Sequence, residues 1–129
     1  MVTVEIRNAG SFKVDISGLE KKLKQFLATK TAKPCHVEVA IVDAGEMKRL
    51  GKTYLKEESG QPHNVLSFPT AEVGKNFIFP PDGTKRLGEV AVCYPKALAE
   101  AKDEGKKADE KICELAQHGI RHLLGIHHK

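Results

Sequence analysis

The chain has 129 residues, 40% of them hydrophobic and 29% charged, with a formal net charge of +4. That length fits one domain around one core, no stretch approaches the roughly 18 consecutive apolar residues of a membrane span, and three cysteines without CxxC spacing point to reduced, buried thiols rather than to a disulfide framework or a cysteine zinc site. The mild positive charge permits a polyanionic partner, whereas no Trp, two Tyr and five Phe speak against a surface built on rows of stacked aromatics. The opening MVTVEIRNAG has neither the basic segment nor the apolar run of a signal peptide, so a cytoplasmic protein is expected.

Val2 to Ile6 alternates apolar and polar residues and predicts a strand. Ser17 to Thr29 opens on a serine suited to capping and carries Leu19, Leu23, Phe26 and Leu27 at helical spacing. His36 to Val42 is β-branched and predicts a second strand, after which Asp43 can cap a helix through Met47, Leu50 and Tyr54. Asn64 to Phe68 and Gly88 to Cys93 predict short buried strands, separated by a Pro- and Gly-containing loop from Pro69 to Leu87. Pro95 to Glu104 begins with proline at a first helical position and stops near Gly105. With no internal repeat or linker, the expectation is one α+β domain over residues 1–129, with about four strands and about four helices.

Lys107 to Leu124 predicts the last helix, its Ala108, Ile112, Leu115, Ala116, Ile120 and Leu123 filling one arc. His118 and His122 fall together at the edge of that arc, where side chains four residues apart can converge on one ion. Gly125 can then turn the chain back in the left-handed conformation, bringing in His128 as a third ligand. The pattern His-x3-His-x5-His places a metal site on the C-terminal helix and the turn after it, and three neutral nitrogens leave a tetrahedral zinc with one open position. His127, beside the third ligand, is an outer partner, an alternative ligand or simply exposed. The spacing is also that of the metzincin proteases, HExxHxxGxxH, but Gly119 stands where their glutamate base belongs, which leads away from proteolysis.

HGIRHLLGIHH (His118 to His128), together with NVLSFP (Asn64 to Pro69) and LGEVAV (Leu87 to Val92), resembles the motifs of the YbeY family of zinc-dependent endoribonucleases, written approximately HGxLHLxGxDH, TDVLSFP and LGDI. The resemblance implies a mixed sheet flanked by helices, Zn²⁺ on His118, His122 and His128, single-stranded RNA as substrate, and a role with the ribosome in maturing ribosomal RNA and in quality control. It also brings forward Glu89 for proton transfer or ligand orientation and Ser67 as a lining hydroxyl. An arginine that follows a tyrosine in the family is replaced here by Leu55 after Tyr54, which leaves Lys56, Arg49 and Arg86 as candidates for the cation near a phosphate. The missing arginine, Asn64 in place of the family's aspartate and His127 in place of another keep two alternatives in view: a non-catalytic ribosome-associated factor with a structural zinc, and a zinc hydrolase acting on a small molecule or peptide.

Overall fold

In a computed structural model of the protein, residues 2–55, 63–69 and 85–125 are described; Lys56, His127 and His128 lie outside them, as does most of the expected loop from Pro69 to Leu87. The sequence periodicities resolve, in chain order, into β1 (Val2–Asn8), α1 (Ile16–Lys30), β2 (Cys35–Val42), α2 (Ala44–Leu55), β3 (Val65–Pro69), β4 (Lys85–Cys93), α3 (Tyr94–Glu104) and α4 (Ala108–Leu123). The expected α+β class and the numbers of strands and helices hold among these residues.

Helix ends follow from local chemistry. Asp43 Oδ1 accepts the Glu46 N–H at 2.8 Å and caps α2, as expected. For α1 the expected serine cap is incorrect: the helix starts one residue earlier, and Asp15 Oδ1 accepts the Gly18 N–H at 3.1 Å. A carboxylate answers both the open N–H groups and the positive end of the helix dipole, which a hydroxyl does less well. The Asp15 N–H also donates to Asp109 Oδ2 at 3.3 Å, tying the starts of α1 and α4 together. Asp15→Ala should therefore lower unfolding free energy by about 1 kcal/mol, read as a shift in urea midpoint at unchanged slope. Helix α3 has Pro95 in its first turn and ends on Gly105 at φ 68°, whose left-handed backbone lets the Lys106 N–H reach the Ala101 carbonyl at 2.8 Å.

The sheet has the order β1-β2-β4-β3, with β1, β2 and β4 parallel and β3 antiparallel to β4 at one edge. Both faces are covered, which explains the apolar run of β2, where Val37, Val39, Ile41 and Val42 are all buried. On one face Val37, Val39, Val90 and Val92 pack with Leu19, Leu23 and Leu27 of α1 and with Ile112, Leu115, Ala116 and Ile120 of α4. On the other, Ala40, Val42, Leu66, Phe68, Ala91 and Cys93 pack with Met47 and Leu50 of α2. All three cysteines are buried and none is in a disulfide. Among the described residues, no helix is long and apolar enough to cross a membrane.

A histidine cleft between an edge strand and the last helix

Helix α4 lies against β3 and β4, and glycine makes that approach possible. A Cβ on Gly119 would stand 2.5 Å from Val90 Cγ1 and 3.0 Å from Cγ2, so the backbone of α4 occupies space that any side chain would need. Seating the helix this deep puts its neighbouring stripe along a cleft of about 490 Å³, lined by Ser67 and Asn64 from the β3 side and by Lys111, Glu114, His118 and His122 from the helix.

Within the cleft, His118 Nε2 and His122 Nε2 are 3.1 Å apart, their rings nearly edge to face. Two nitrogens bound to one tetrahedral ion at about 2.0–2.1 Å would be about 3.3 Å from each other. The described pair is thus already spaced as two ligands of one metal, and both side chains are exposed to solvent from which an ion can enter. Gly125, at φ +80°, supplies the left-handed turn expected after the helix.

Ser67 lies on the same side of the sheet as the histidines. It pairs with Val90, the residue that meets Gly119, whereas its neighbour Phe68 pairs with Glu89 and packs toward α2. Strand alternation therefore sends Glu89 to the face opposite the histidines. There, burial pushes its carboxyl above the usual range, with Glu38 and Glu46 adding to the rise and Arg7 opposing it. A raised value in the fold means that stability is complete below the ordinary glutamate range and is lost as pH rises until Glu89 has ionised. Glu89→Gln should consequently melt a few degrees higher than the parent near pH 7, with the difference closing toward pH 4; calorimetry across that range checks it.

Of the candidate cations, the two among the described residues are not gathered at the cleft. Arg49, on α2, donates from Nε to Glu46 Oε1 at 2.8 Å and from Nη2 to Glu46 Oε2, and its helix covers the far face. Arg86 is exposed near the start of β4 beside His36, several residues along the strand from Val90. Among the described residues the cation that lines the cleft is Lys111, which the sequence reading did not put forward. It is buried, with Nζ 2.9 Å from Glu104 Oε2, 3.0 Å from Glu114 Oε2 and 3.6 Å from Glu100 Oε1. The Glu104 carboxylate beside it holds its ammonium protonated well above the usual lysine range. Asn64 Nδ2 donates to both Glu100 carboxylate oxygens at 3.2 Å, so this network ties the start of β3 to α3 and α4. Spacing alone could have flagged Lys111 and Glu114, which continue the stripe of His118 and His122 back along the helix.

A family model described as Endoribonuclease YbeY matches residues 5–129. An Endoribonuclease YbeY of Roseiflexus castenholzii is 30% identical over 130 residues, covering 100% of this chain and 80% of the relative. That of Clavibacter michiganensis subsp. michiganensis is 31% identical over 128 residues, covering 98% and 82%. The solution structure of TM1509 from Thermotoga maritima is similar in fold, with a TM-score of 0.61 at 24% identity over 100% of this chain and 75% of that one.

Proposed function

The chain belongs to the YbeY endoribonuclease family, and from that premise we propose that the cleft between β3 and α4 binds one Zn²⁺ and cleaves single-stranded RNA. The observation that carries the reading is the 3.1 Å separation of the two Nε2 atoms, a donor spacing and donor chemistry suited to zinc, beside a hydroxyl-bearing edge strand. His118 and His122 hold the ion, with His128, outside the described residues, as the third ligand. When bound, zinc supplies Lewis-acid activation of water and positive charge for a phosphate.

The chain's own groups divide the remaining work. Ser67 offers a hydroxyl that donates to a phosphate oxygen, and β3 provides a rigid wall that holds the strand in register with the histidines. Lys111 does not replace the family arginine, because three glutamates already surround its ammonium; it fixes the cleft wall. Lys56, next after α2 in the sequence, is the remaining cation candidate, since Arg49 is committed to Glu46 across the sheet. Glu89, on the far face, takes no part in proton transfer at the histidines. The substrate in this reading is ribosomal RNA, in a cytoplasmic role in ribosome maturation and quality control; the net charge of +4 suits a polyanion.

The test is cleavage of an end-labelled single-stranded ribosomal RNA fragment and of the same fragment annealed to its complement. Metal-stripped protein should leave both intact, and zinc should restore cutting of the single strand alone. Equal cutting of the duplex, or full activity in the stripped protein, would contradict the proposal.

A further inference from the structure

The face of the sheet that carries α2 has a polar end. Glu5, Glu38 and Glu89 stand in register on β1, β2 and β4, and Thr3 and His36 form the adjoining rung. Neighbouring strands are about 4.8 Å apart, so three carboxylates in a row repel one another; Arg7 offsets this at Glu89, and a cation among Glu5, His36 and Glu38 would relieve the rest. His36 is positioned for that purpose. Its Nδ1 lies 2.6 Å from Thr3 Oγ1 and its Nε2 lies 3.8 Å from Glu5 Oε2. In the tautomer with the proton on Nδ1, that nitrogen donates to the threonine hydroxyl and Nε2 presents its lone pair to the carboxylates, the arrangement in which a hydrogen-bonded ring nitrogen orients a metal-binding imidazole.

One ligand atom from each of Glu5, His36 and Glu38 falls within 4.8 Å of the others. Donors on one tetrahedral ion with bonds of about 2.1 Å are about 3.4 Å apart, so the mostly exposed Glu5 side chain has to rotate toward His36 and Glu38 to close the set. We propose that Glu5, His36 and Glu38 form a second divalent-metal site, on the opposite face of the sheet from the histidine cleft. Two carboxylates balance the charge of the ion, and the imidazole selects a transition metal such as Zn²⁺ or Ni²⁺ over Ca²⁺ or Mg²⁺. Two of the three ligands sit on the central strand β2 and the third on its parallel neighbour, so the site is held by rigid backbone and exchanges ions with solvent through its open side.

Equilibrium dialysis of metal-free protein against Zn²⁺, with bound zinc counted by elemental analysis, tests this independently of the cleft. The parent should bind two equivalents, His118→Ala/His122→Ala one, and His36→Ala one, while Glu5→Gln, which removes a ligand's charge at an exposed side chain, should weaken the second site by more than about tenfold. Should the double variant bind no zinc, or should His36→Ala and Glu5→Gln both keep the parent's stoichiometry and affinity, the second site does not exist. If instead the double variant keeps both equivalents while His36→Ala loses one, the second site stands and the zinc reading of the cleft fails.

Discussion

His122→Ala is expected to lower RNA cleavage by more than about 100-fold, since removing even an outer partner of a metal ligand costs about 10–100-fold. The loss should appear in kcat, with RNA affinity little changed, because the imidazole acts on the reacting phosphate through the ion rather than on the RNA backbone at large. Stability separates this outcome from a structural zinc. His122 is exposed, so the metal-free variant should unfold within about 0.5 kcal/mol of the metal-free parent, and both metal-free proteins should keep one cooperative transition, to which zinc adds only its mass-action stabilisation of the parent. A protein whose metal held the C-terminal segment together would behave otherwise, its metal-free parent already losing the cooperative unfolding of α4 and regaining it only with zinc. Measuring cleavage and thermal unfolding on the same preparations decides between them.

Gly119→Ala is expected to be harmful even though alanine is the better helix former by about 1 kcal/mol. The added Cβ meets two methyl groups of Val90, a fully buried β-branched side chain with little rotamer freedom. Overpacking of this kind costs about 1–3 kcal/mol, so a net loss of up to about 2 kcal/mol follows, and α4 must slide away from β4. That displacement carries His118, the preceding residue, away from Ser67, so cleavage should fall by about tenfold or more, as small misplacements at reacting groups do. A double-mutant cycle with Val90→Ala exposes the cause. The smaller residue at 90 makes room, and the cost of Gly119→Ala in that background should shrink or reverse. If the two costs simply add, the contact is not what demands glycine.

The elements were legible because hydrophobic spacing dictates them. Leu19, Leu23 and Leu27 mark the buried stripe of α1, and the apolar run of β2 betrays a strand covered on both faces. Boundaries were less so. Strand β1 continues to Asn8 because Arg7 and Asn8 pair with Ala40 and Ile41, and β4 starts at Lys85 because it pairs with Cys35; polar residues recruited by a neighbouring strand leave no periodic trace. In the cleft, His118 and His122 were readable from their four-residue spacing, a purely local rule. The separation of Ser67 from Glu89 was not, since both belong to strand motifs and only the antiparallel register of β3 on β4 assigns them to opposite faces. The four-residue spacing also reaches Lys111, but its ion pairs with Glu100 and Glu104 were not legible, since only the packing of α3 on α4 brings those carboxylates to its ammonium.

In the proposed function the two histidines of α4 hold the ion that RNA cleavage requires. Metal-free parent and His118→Ala/His122→Ala proteins, titrated with zinc while bound metal and cleavage of a single-stranded ribosomal RNA fragment are read from the same samples, test it most directly. The parent's cleavage should rise in step with the equivalent of zinc that the double variant fails to bind, and the variant should not cut at any zinc concentration. Cleavage by the variant at the parent's rate, or by the parent before any zinc is bound, would contradict it.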